Sequence, residues 1–190
     1  MNMFQILMLG ITLYFAYQIY LHVSALQDPS EADKPKSTPS IIDPEYLMLQ
    51  ADKAYEKGEY TQALKLLRDA NGKDRNNTEV LNKLGFVLAK VGENDEAITT
   101  YLESLEINSE DDTVHNAIAS LYRRINEFEK AREHYERAMM IDDEYAVTYF
   151  NFANLLVDMN EIDDAKAMYD KAIALDPEFT QAKFELEKLK

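Results

Sequence analysis

Residues 78–111 read TEVLNKLGFVLAKVGENDEAITTYLESLEINSED. In this stretch Leu81, Leu84, Gly85 and Leu88 follow an i, i+3, i+4, i+7 spacing, which places them on one stripe of a first helix. Ala97, Ile98, Tyr101 and Leu105 repeat the pattern in a second. Between the two, Gly92 can take the left-handed conformation that closes a helix. The unit is therefore a helix-turn-helix, and a lone pair of this kind cannot bury its apolar stripe.

A shift of 34 residues brings the rest of the chain from Pro44 onward into the same register. Small residues recur in three columns: Ala51, Gly85, Ala119 and Ala153; Ala63, Ala97, Ala131 and Ala165; Ala70, Ser104, Ala138 and Ala172. Large ones fill three more: Leu67, Tyr101, Tyr135 and Tyr169; Leu47, Leu81, His115 and Tyr149; Ala54, Leu88, Tyr122 and Leu156. Gly58, Asn126 and Asn160 hold the place of Gly92, asparagine being the side chain that tolerates the left-handed region next best. Small residues mark close backbone approach and large ones fill the gaps, so the units stack.

The pattern resembles the tetratricopeptide repeat family over 44–77, 78–111, 112–145 and 146–179. The chain departs from the family in having no tryptophan, with Leu47, Leu81, His115 and Tyr149 at the place where one often stands, and in keeping the repeat-terminal proline only as Pro177. Gln50 and Ala54 replace larger apolar residues, so the first helix is expected to pack least well. Residues 180–190, with Ala182, Leu186 and Leu189 among charges, look like the capping helix that solvates the end of such a stack. The expected class is all-α: a solenoid of four repeats and a cap, preceded by a single transmembrane helix.

That last expectation comes from Met1–Gln27, which contains no Asp, Glu, Lys or Arg. Its most apolar part, residues 4–23, would cross the ~30 Å hydrocarbon core as a helix. Tyr20 and His22 could sit at headgroup level, whereas Tyr14 and Tyr17 lie deeper. The competing reading is a cleaved secretory signal ending near Val23-Ser24-Ala25, which would leave the repeats secreted or periplasmic; against it stand the missing basic start and a run longer than a signal core. Residues 28–43, with three prolines among polar residues, form a solvated linker. Lys34 and Lys36 point, by one charge, to a cytosolic side for the repeats.

The 190 residues carry 35 Asp and Glu against 20 Lys and Arg, a formal charge of −15 that opposes nucleic-acid binding. The absence of Cys removes disulfides, thiolate zinc sites and a cysteine nucleophile. No glycine-rich phosphate loop, GxSxG elbow or HExxH is present, so no enzyme, cofactor, metal site or small-molecule substrate is expected. His22, His115 and His134 are expected to be unrelated to one another. The acidic clusters at Glu110-Asp111-Asp112, Asp142-Asp143-Glu144 and Asp163-Asp164 flank helix starts, where carboxylates cap free N–H groups, and they lack calcium-loop spacing.

The remaining candidate surface is a second stripe on each first helix: Met48, Asp52 and Tyr55; Asn82, Phe86 and Ala89; Asn116, Ser120 and Arg123; Phe150, Asn154 and Val157. Lys90 and Arg124 lie close to it, while the second helices, His134 included, are expected to face outward. The resemblance implies a concave groove that takes extended or helical segments of other proteins, acidic ones among them; asparagine can bond a peptide backbone both ways, and Phe86 and Phe150 offer apolar anchors. It also argues against a clamp for the C-terminal carboxylates of chaperones, since Met48, Asp52, Thr113 and Ala117 stand where lysine, asparagine and basic residues would be wanted. The sequence thus reads as a membrane-anchored, non-catalytic scaffold or adaptor, with a membrane-tethered chaperone or assembly factor in the cell envelope as the alternative.

Overall fold

The computed structural model describes residues 43–190; the apolar segment and all of the linker but Asp43 lie outside the described residues. Among those described there are nine helices and no strand: α1 Pro44–Glu56, α2 Tyr60–Lys73, α3 Thr78–Val91, α4 Asn94–Ile107, α5 Asp112–Arg124, α6 Phe128–Ile141, α7 Ala146–Asp158, α8 Ile162–Leu175 and α9 Thr180–Lys188. First helices start at 44, 78, 112 and 146 and second helices at 60, 94, 128 and 162, so the 34-residue period of the sequence is the period of the fold. The cap, α9, starts one period after α7 and takes the place of a fifth first helix. None of these helices is long and apolar enough to cross a membrane.

Local chemistry marks several boundaries. Before three of the four first helices, Asp43, Asn77 and Asp111 accept hydrogen bonds from backbone N–H groups of the first turn, Asp111 from Val114 at 3.0 Å. The fourth, α7, follows Tyr145 with no side-chain cap, so Asp142-Asp143-Glu144 does not cap it as expected. Asp43, expected in the linker, is thus the cap of the first repeat. The turns close at Gly58, Gly92, Asn126 and Asn160, whose φ values of 76°, 91°, 64° and 63° are all left-handed. After each, the next N–H reaches back five residues to a carbonyl of the preceding helix, as Glu161 does to Leu156 at 2.8 Å.

The columns of small residues are sealed, with every alanine of the Ala63 and Ala70 series fully buried. At Gly85 an added Cβ would lie 2.9 Å from the Tyr101 ring, so only glycine admits that ring so close to α3. Asn116 joins neighbouring repeats, donating to Thr148 Oγ1 at 2.7 Å and accepting from Asn151 at 3.0 Å. In the first repeat an open cleft of about 420 Å³ is lined by Gln50 and Ala54, among others, and Ala51 and Ala54 are nonetheless buried.

Candidate functional site

The concave strip is built by α3 and α5 with one residue from α4. Phe86 is 52% exposed and packs only one flank, against Tyr55 at a ring separation of 5.3 Å. Beside it a cleft of about 320 Å³ is lined by Phe86, Ala89, Lys90, Tyr101, Ser120 and Arg124, with Ala117 and Leu121 completing its wall. Four of the expected groove residues, Phe86, Lys90, Ser120 and Arg124, therefore converge on one cavity.

The cations of this strip differ in their commitments. Arg123 is paired with Asp158, its Nε donating at 2.5 Å. Arg124 donates to the Ala89 carbonyl and to Asn94 Oδ1, both at 3.1 Å, and neither acceptor carries charge. Lys90 has no carboxylate within ion-pair distance among the described residues. Lys83, two turns earlier on α3, is held by Asp52 of the preceding repeat at 2.9 Å. Two cations without ion-pair partners among the described residues thus line the cleft, and no carboxylate lines it with them.

Other expected wall residues are spent inside the fold. Asn116 is 6% exposed and both ends of its amide are used, so it is a bridge between repeats rather than a peptide-binding group. Asn154 accepts the Tyr169 hydroxyl at 2.6 Å, and Asn82 donates to Asp111 at 3.3 Å. Phe150 packs on Phe179 at 4.9 Å and on Tyr169 at 5.8 Å, which leaves it part of the seam with the cap. Met48 is buried. Helical spacing assigns each of these residues a face but not its partner, because the partners come from another helix, of the same repeat for Asn154 and Phe150 and of the next repeat for Asn116 and Asn82.

The histidines correct the expectation. His115 and His134 are not unrelated: their Nδ1 atoms are 3.0 Å apart, the His115 Nε2 lies 3.3 Å from the Ser109 carbonyl, and Tyr122 covers His134 at 5.7 Å. Nor does His134 face outward, since it is half-buried between α5 and α6. Burial lowers both pKa values below the ordinary imidazole range, His134 to about 4, with the neighbouring His115 adding to that shift. Both rings are neutral at pH 7, and one Nδ1–H donates to the other Nδ1. A pairing of residues 19 apart was hidden because each was read only against its own helix. Among the described residues, no group of three His, Cys, Asp or Glu side chains could hold a metal ion.

A helix-turn-helix solenoid with a concave strip of this kind defines a repeat-protein interaction fold. Tetratricopeptide repeat models match residues 76–144 and 126–185, together more than half of the chain, and the chain belongs to the tetratricopeptide repeat family. No curated protein matches its sequence. Among solved structures it is similar to a MamA protein, at 25% identity and a TM-score of 0.70 over 77% of this chain and 80% of that one. It is also similar to MamA from Desulfovibrio magneticus RS-1, at 18% identity and a TM-score of 0.71 over 77% and 82% of the two chains. The first tetratricopeptide domain of Spaghetti (RPAP3), bound to the HSP90 peptide SRMEEVD, matches at 25% identity and a TM-score of 0.57, over 59% of this chain and 89% of that one.

Proposed function

We propose that the chain is a non-catalytic adaptor that gathers partner proteins by gripping peptide segments on its concave face, and that residues 4–23 hold it at a membrane. The observation that carries the first half is the cleft at Phe86, where an exposed aromatic ring and two cations without carboxylate partners meet in a chain of charge −15. An exposed aromatic anchor beside committed polar groups suits selective capture of a segment, because the ring supplies contact area at little entropic cost. The Spaghetti domain, of similar fold, is itself bound to a peptide. The second half rests on the uncharged stretch Met1–Gln27, long enough to span.

The test of the groove compares the partners that co-purify with the full chain and with Phe86→Ala/Arg124→Glu, both folded by circular dichroism. Loss of a defined subset of partners supports the reading; retention of all of them places binding elsewhere. The anchor is tested by fractionation with and without residues 1–27, and a reporter fused after Lys190, active on one side of the membrane only, fixes the orientation. A cytosolic reporter signal is expected from Lys34 and Lys36.

A further inference from the structure

The tyrosine column contains one broken pairing. Tyr135 and Ser120 share a hydrogen bond of 2.9 Å, and Tyr169 donates to Asn154 at 2.6 Å, each partner lying fifteen residues earlier. The same offset from Tyr101 reaches Phe86, which has no polar atom. Among the described residues the Tyr101 hydroxyl has no hydrogen-bond partner. It is also not one of the fully sealed unpartnered side-chain atoms, which are Asn71 Oδ1 and Asn82 Oδ1. Tyr101 as a whole is only 5% exposed, and it lines the cleft with Phe86, Lys90 and Arg124.

This geometry restricts what can occupy the cleft. A purely apolar side chain would seal the phenol from water without giving it an acceptor, which a buried donor does not tolerate cheaply. A basic side chain would meet Lys90 and Arg124. An occupant with an aliphatic stem and a terminal anion satisfies every wall at once. Burial pushes the Tyr101 phenol up, so at neutral pH it keeps its proton and can only gain from an acceptor.

Building on the groove reading above, we propose that the cleft is a receptor for a glutamate side chain internal to a partner segment. The methylenes lie against Phe86, Ala89 and Ala117, and the carboxylate accepts the Tyr101 hydroxyl between Lys90 and Arg124. Charge complementarity selects the occupant: the cleft lining holds Lys90 and Arg124 and no carboxylate, on a chain of charge −15. The site differs from a terminal-carboxylate clamp in position and in chemistry, since its hydrogen-bond donor is a phenol of a second helix and Lys83 is already neutralised by Asp52.

The test uses the full chain and an array of acetylated, amidated nine-residue peptides, each position fixed in turn as Glu, Gln, Leu or Lys in a randomised background. Blocking both peptide ends removes terminal charges, so selection reads side chains only. The strongest Glu-fixed peptide and its Gln counterpart are then titrated by calorimetry. The expected preference for Glu is about tenfold, the size of a charge-assisted hydrogen bond, and it shrinks with added salt. Tyr101→Phe weakens the Glu peptide more than the Gln peptide, whose amide oxygen accepts the hydroxyl without charge, and so reduces the preference; the remainder comes from Lys90 and Arg124. Phe86→Ser, which offers Tyr101 the partner that Ser120 gives Tyr135, also lowers the preference by capturing the hydroxyl, and weakens Glu and Gln peptides together because the anchoring ring is lost. Equal binding of Glu and Gln peptides, or a preference that Tyr101→Phe leaves undiminished, overturns the glutamate site while leaving the groove in place. Failure of every peptide on the array overturns both.

Discussion

The second and third repeats share a backbone and differ in how they finish the contact between their two helices. In the third, Ala119 and Ser120 face Tyr135, and the serine closes the tyrosine hydroxyl at 2.9 Å. In the second, Gly85 and Phe86 face Tyr101: the glycine lets the ring approach to where a Cβ would stand at 2.9 Å, and the phenylalanine leaves the hydroxyl open to a cleft. One repeat spends its polar groups on itself; the other leaves a donor and an exposed ring for something else. Repeats of one fold can therefore differ in which polar groups their own helix pair satisfies.

Breaking the supporting side should have the largest effect. Ala131→Leu forces methylenes into a fully buried helix contact and is expected to cost about 1–3 kcal/mol; an unchanged denaturant midpoint would mean that the close contact at this column is misplaced. Asn116→Ala strands the Thr148 hydroxyl and the Asn151 amide, at a cost of about 1–3 kcal/mol. Urea titration reads it, and Asn116→Asp, which keeps the acceptor, should recover part of the loss. If Asn116 instead lined a groove, its removal would leave stability unchanged and alter only binding.

Smaller effects sharpen the contrast. Gly85→Ala gains helix propensity of about 1 kcal/mol and loses more to the Tyr101 ring, for a net loss of roughly 1 kcal/mol. Adding Tyr101→Leu, which reproduces the Ala51 and Leu67 pair of the first repeat, should remove the clash, and a double-mutant cycle by thermal melting measures the coupling.

The histidine pair gives the smallest effect and confines it to acid. Both pKa values are lower in the fold than in the unfolded chain, so the unfolded state binds more protons below the ordinary imidazole value near 6.5. Stability contributed by the pair is complete above that pH and is lost as the pH falls from 6.5 toward 4. Asp111 and Asp112 oppose the loss on the His115 side, and Arg137 adds to it. His134→Met, the residue that Met168 supplies one repeat later, should flatten the melting temperature over that window and leave it little changed at pH 8. A steep acid limb that persists in His134→Met would assign it to carboxylates instead.

The 34-residue period, the left-handed turn positions and the sealed alanine columns were legible in the sequence, because each is set by residues within one repeat: a glycine or asparagine, a stripe at helical spacing. The exposed face of Phe86, Lys90 and Arg124 was legible for the same reason. What only the tertiary structure decided is which candidates are free. Asn116 and Asn154 stand at wall positions by spacing, yet their amides are taken by Thr148, Asn151 and Tyr169, and two histidines on different helices meet at 3.0 Å. Helical periodicity assigns a side chain to a face, but a hydrogen bond needs a partner within about 3 Å, and for these residues the partner is brought there by the packing of one helix on the next.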